Sequence, residues 1–223
     1  MSLFTEQSNY LIIGKKRSGK TALGWYVTEA INKVQNKEVY TFRHPRPELL
    51  KKIPFKVENI TNFDRLFNIS NAVILIDEAH KHFNILNKMI DEKLKNLLGD
   101  SGQNNLDVIF ICHNSYFVNR SLFTFLDVKM IKEVVEGHWE MERPHMKKLY
   151  HNHPIHKPEW YFIDSDWKRG KCSFQKPGWY NDELSKAYSV NNSPDDPIKE
   201  AIENTGKCGA GRSKTKVRTG AVR

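Results

Sequence analysis

Gly14-Lys15-Lys16-Arg17-Ser18-Gly19-Lys20-Thr21 satisfies G-x-x-x-x-G-K-[ST] at every fixed position. The apolar run Tyr10–Ile13 precedes it, and Leu23, Val27, Ala30, Ile31 and Val34 follow at helical spacing. A strand, a glycine-bounded loop and a helix in that order leave the chain few local shapes. Glycines let consecutive backbone N–H groups turn inward, and the helix N-terminus adds partial positive charge, so the segment is suited to cradle phosphate. Lys20 is placed to reach the β- and γ-phosphates of a nucleotide, and Thr21 to put its hydroxyl on Mg2+.

A second element matches the first. The apolar strand Ala72–Ile76 ends in Asp77-Glu78-Ala79-His80. Adjacent acids after a strand often do no more than start a helix, because helix N-termini favour negative charge. Paired with a phosphate loop they form a hydrolytic set: Asp77 holds the Mg2+ water shell and Glu78 orients and polarises the attacking water. The run Leu106–Cys112 is a third buried strand, with His113 and Asn114 just past its end. If it lies between the other two strands, His113, or second Asn114, would sense the γ-phosphate.

Other elements follow from periodicity. Glu38–Phe42 reads as a strand closed by His44-Pro45-Arg46-Pro47, and 48–70 as a short helix and loop. A helix is expected over about Phe83–Leu98, then a polar loop Gly99–Asn105, and a strand Lys129–Val135. Apolar strands alternating with helices imply a parallel sheet covered on both faces. Trp160–Asp164 and Lys171–Phe174 fit a hairpin. We therefore expect an ATPase core over 1–136, an extension with a β-hairpin over 137–190, and a disordered linker and basic tail over 191–223.

Charge is unevenly spread. The chain carries 35 Lys+Arg against 26 Asp+Glu, a formal +9. Six of those bases and no acid fall in Lys207–Arg223, leaving 29 against 26 elsewhere. A near-neutral body with a cationic arm suits a polyanionic partner. The three cysteines are too few and too scattered for a disulfide framework, which favours a reducing, cytoplasmic setting. The strongest apolar runs are five residues each, too short for a membrane span, and the N-terminus lacks a secretory layout. His138, His145, His151, His153 and His156 lie among prolines without paired cysteines, which fits a polar loop better than a zinc site.

GKKRSGKT, ILIDEAHKHF and LDVIFICHNS in this order resemble the FtsK–HerA superfamily of P-loop ATPases, and within it the small viral genome-packaging ATPases and Zot-like morphogenesis ATPases. The resemblance covers about residues 8–175. It implies a RecA-like P-loop NTPase of α/β class, with a mainly parallel sheet flanked by helices and a small C-terminal β-hairpin. It also implies ATP and Mg2+ as cofactors, and a ring oligomer, often a hexamer, that drives double-stranded DNA through its channel, with capsid or virion proteins as further partners. The host cytoplasm would be its location. Two departures stand out: His113 occupies the sensor position where the family commonly has Gln, and 99–105 lacks the arginine finger usual there, leaving Arg120 or a residue elsewhere. The alternatives are a Zot-like phage export ATPase, which would need a membrane segment, a nucleotide or small-molecule kinase, which would need an arginine-rich lid, and a DNA-binding protein with a relict nucleotide site.

Overall fold

One eight-stranded sheet organises the chain in the computed structural model, which describes residues 4–188 apart from 84–87, 135–139, 141, 153, 157 and 164–167. Strands β1 (Asn9–Ile13), β2 (Glu38–Phe42), β3 (Val57–Ile60), β4 (Ala72–Ile76), β5 (Leu106–Cys112) and β6 (Val128–Ile131) are parallel to one another. β7 (Glu159–Ile163) and β8 (Arg169–Ser173) add an antiparallel hairpin to β6. The order is β3-β2-β4-β5-β1-β6-β7-β8. This is the mainly parallel sheet with a terminal hairpin that the sequence predicts. The tail from Lys207, with His138, His153, Trp139 and Trp167, lies outside the described residues.

Strand alternation divides the core. Leu11, Ile13, Ile74, Ile76, Val108 and Phe110 face one side, with Leu94, Leu97 and Leu98 of a helix over them. Tyr10, Ile12, Val73, Leu75, Ile109 and Ile111 face the other, under helix α1 (Lys20–Gln35), which contributes Leu23, Trp25, Val27 and Ile31. Period-2 strands buried on both faces are the cause of the continuous apolar runs.

Three expectations are refined. The segment 48–70, expected as a short helix and loop, also holds β3; Val57-Glu58-Asn59-Ile60 is half polar and only Ile60 is buried, as befits an edge strand. The helix expected over about Phe83–Leu98 is found as α3 (Lys88–Gly99), and a short α2 (Ala79–His82), ended by extended backbone at Phe83, precedes it. β6 stops at Ile131 instead of running to Val135.

Two buried features hold this frame. Lys37 Nζ lies 2.5 Å from Asp107 Oδ2 with both side chains fully buried, and Asp107 Oδ1 accepts from the Ser8 N–H at 2.8 Å. Gly24 lets α1 approach the sheet: a Cβ there would lie 2.6 Å from Ile111 Cδ1 and 3.1 Å from Leu75 Cδ1. Gly24→Ala is therefore expected to cost about 1–3 kcal/mol by overpacking, although alanine is the better helix former. Denaturant unfolding would show it; a stabilised variant would mean the helix can ride up freely.

Topology sets up the site. β5 pairs on one side with β1, placing Ile13 beside Cys112, and on the other with β4, placing Ile76 beside Phe110. The chain leaves these three strands at Gly14, His113 and Asp77, all at one end of the sheet, where their carboxyl ends meet.

Candidate active site

The phosphate loop is bound into the end of the sheet. Gly14 N–H donates to His113 O at 3.3 Å, and Lys15 N–H to Glu133 O at 2.8 Å. The Lys15 ammonium also reaches the Glu133 carboxylate at 2.7 Å. Gly14 has φ 154, and a Cβ there would come within 2.8 Å of Lys132 Cβ, so a side chain is excluded. Lys132 is 1% exposed and donates to the carbonyls of Pro158 and Glu159 at 2.9 and 2.7 Å. Nothing in the linear pattern marks Lys132 and Glu133, because their role depends on β6 lying beside β1.

α1 begins at Lys20, directly after Gly19 at φ 90, with no side-chain cap and no acid in its first turn. Its first N–H groups lack intrahelical acceptors, so this end is a positive pole, with the Asp77 carboxylate reached through the Thr21 hydroxyl as the neighbouring counter-charge. Lys20 is 6% exposed, and its ammonium lies 3.0 Å from Lys15 O and 3.3 Å from His113 Nδ1. Burial lowers its pKa, while the charges of Glu78 and Asp77 oppose that. Ser18 is buried, and Lys16 and Arg17 are exposed, with Arg17 in the left-handed region at φ 64.

Thr21 Oγ1 donates to Asp77 Oδ2 at 2.7 Å, joining the loop to β4. Asp77 is 3% exposed and also accepts from the Glu78 N–H at 2.8 Å. Burial, and then the charge of Glu78, push its carboxyl up to about 6 against the pull of Thr21 and Lys20. A bound divalent cation reverses such a shift.

Glu78 stands at φ 50 and ψ 42, the left-handed region that a non-glycine residue enters at a cost of about 1–3 kcal/mol. This turns its carboxylate toward β5. Oε2 lies 3.2 Å from His113 Nε2 and 3.4 Å from His80 Nε2. Burial would raise its pKa, but the hydrogen bond and charge of His113, with His80 and Lys20, hold it at about 2. Glu78 is therefore ionised at neutral pH.

His113 and Asn114 part company. His113 touches both Lys20 and Glu78. Asn114 is 4% exposed, and its Oδ1 accepts from the Tyr116 N–H at 3.1 Å, capping the turn Ser115–Phe117. That turn is held from far along the chain: Glu142 accepts from the Ser115 N–H at 3.0 Å, and Arg143 donates to Ser115 O at 3.3 Å. Arg120 opens a short helix, α4 (Arg120–Phe123), further along. His145, on α5 (Pro144–Asn152), packs edge-on against Phe123 at 5.3 Å. Trp160 is 4% exposed and packs beside Phe162.

The donor set suits a magnesium nucleotide. A helix N-terminus with no acid in its first turn and a buried ammonium match phosphate charge. The Thr21 hydroxyl and Asp77 carboxylate are hard oxygen donors of the kind Mg2+ takes.

No protein-family model and no curated protein matches the chain by sequence. Solved structures do share its fold. B204, the DNA-packaging ATPase of Sulfolobus Turreted Icosahedral Virus, superposes with TM-score 0.62 at 14% identity, over 77% of this chain and all of that one. B204 of Sulfolobus turreted icosahedral virus 2, in complex with ATP-gammaS, gives 0.57 at 14% identity, over 77% of this chain and 98% of that one. The pCW3 conjugation coupling protein TcpA with ATPgS gives 0.60 at 11% identity, over 84% and 66%.

Proposed function

From the RecA-like P-loop fold that the chain shares with these ATPases, we propose that it hydrolyses ATP and uses the cycle to move double-stranded DNA, as a viral genome-packaging motor. The observation that carries this reading is the convergence of Lys20, Thr21, Asp77, Glu78 and His113 at the ends of three adjacent strands. In this reading Gly14, Lys15, Lys16, Arg17, Ser18 and Gly19 wrap the phosphates, and Lys20 turns from Lys15 O and His113 to the β/γ oxygens. Thr21 and Asp77 would hold Mg2+, which would supply charge neutralisation when bound. Glu78 takes a proton from the attacking water, and His113 reports the γ-phosphate. Asn114 serves as the cap that fixes the loop behind His113.

The packaging function of B204 and the nucleotide analogues bound to B204 and TcpA support this reading. A homo-oligomeric ring, as a hexamer, supplies a channel for DNA, a place for an arginine finger from a neighbouring copy, and a surface for capsid or virion proteins. Among the described residues no helix is long and apolar enough to cross a membrane. The host cytoplasm is the proposed location.

The test is phosphate release against oligomer size, with and without double-stranded DNA. Hydrolysis is expected to rise with DNA, and binding to weaken with salt. Deleting residues 207–223 is expected to reduce the slope of log affinity against log salt by up to about 5, if all six bases meet phosphates. A DNA-independent rate and an unchanged slope would overturn coupling and tail contact respectively. Phosphoryl transfer to a nucleoside would make the chain a kinase.

A further inference from the structure

Glu78, His80 and His113 form a cluster that the hydrolytic reading uses only in part. One ligand atom from each lies within 4.8 Å of the others. His80 and His113 approach the same carboxylate oxygen through Nε2 at 3.4 and 3.2 Å. Ligands held by one tetrahedral zinc ion at bonds of about 2.0–2.1 Å stand about 3.3 Å apart. Residues two apart on a helix do not share a side, but Glu78 lies outside α2 at φ 50, and so Glu78 and His80 both meet His113. Two of the three donors are imidazole nitrogens, which Mg2+ takes poorly and zinc-class ions take well.

We propose that Glu78, His80 and His113 form a binding site for a zinc-class divalent ion, distinct from the Thr21–Asp77 pair, and that its occupation stops hydrolysis. The binding claim stands on the cluster alone, whereas inhibition rests on the hydrolytic reading above. With three protein ligands, a fourth position is left to water or a phosphate oxygen. The ion takes the Glu78 carboxylate that must otherwise accept a proton from water, so turnover ceases while nucleotide still binds. Coordination through His113 Nε2 requires the ring proton on Nδ1, where it faces the Lys20 ammonium, now 3.3 Å away. Lys20 must then turn aside, as it does when it engages phosphate. Zinc occupancy and the resting position of Lys20 are therefore antagonistic.

The experiment uses the full chain, with Zn2+ competed against a chromogenic chelator and Co2+ as a spectroscopic probe. Wild type is expected to bind one ion with a four-coordinate cobalt spectrum, and His80→Gln and His113→Ala to lose about tenfold or more in affinity. Lys20→Met, which removes the opposing ammonium, is expected to bind zinc at least as tightly as wild type. In phosphate-release assays at fixed Mg2+, zinc is expected to inhibit wild type, whereas His80→Gln resists zinc when its rate is compared with its own zinc-free rate. Unchanged affinity in His80→Gln, loss of binding in Lys20→Met, or inhibition relieved by raising Mg2+ alone would each overturn the proposal. A cobalt site without any ATPase activity would sink the hydrolytic reading and leave the metal site standing. Activity without a cobalt site would do the reverse.

Discussion

Glu78→Gln is expected to keep ATP affinity close to wild type and to lower the hydrolysis rate about 10²–10⁴-fold, the range a positioned general base contributes. Glutamine fills the same volume and can still accept from His113 Nε2, now at 3.2 Å from the carboxylate. It cannot take a proton from water. The bond to His113 orients Glu78 but also holds its carboxyl at about 2, well below the basicity that proton abstraction at neutral pH favours. Equilibrium binding of ATP and single-turnover phosphate release separate the two effects. Wild-type-like release in Glu78→Gln would remove this residue from the mechanism; lost binding would make it structural.

The second large effect concerns stability. Asp107→Ala is expected to cost about 3–5 kcal/mol, because it leaves the Lys37 ammonium buried and unpaired. It also removes the acceptor of the Ser8 N–H, which joins the segment before β1 to β5. The double variant Lys37→Met/Asp107→Leu should recover most of that loss, since a well-packed apolar pair is often as stable as a buried ion pair. Guanidinium unfolding of both variants measures the coupling directly. Equal losses in single and double variants would show that the pair contributes only through packing.

How far the sequence could be read depended on the range of each interaction. The phosphate loop, β4 with its two acids, and β5 were legible because each is a local pattern: an apolar run followed by the residue types its chemistry needs. The antiparallel hairpin was legible to within two residues at each strand end for the same reason. β3 was not, because an edge strand needs only one buried side chain and carries little periodic signal. The positive φ at Glu78 has no signature in a glutamate; it is imposed by what surrounds it. Lys132, Glu133, Glu142 and Arg143 support the loop and the turn after β5 from distant segments, and only the topology reveals them. The choice between His113 and Asn114 lay beyond any pattern, since it depends on which side chain the turn at Ser115 draws into its cap.

The place of β5 between β1 and β4 has a mechanical consequence. Three neighbouring strands in one hydrogen-bonded ladder stand about 4.8 Å apart, a spacing that cannot stretch without breaking the ladder. The sheet is then a stator. Whatever difference a γ-phosphate makes must be expressed in the loops that leave these strands at Gly14, Asp77 and His113, and in the side chains they carry. In the proposed motor the stroke would start at this rim, while Lys37 and Asp107 tie down β5 at its other end.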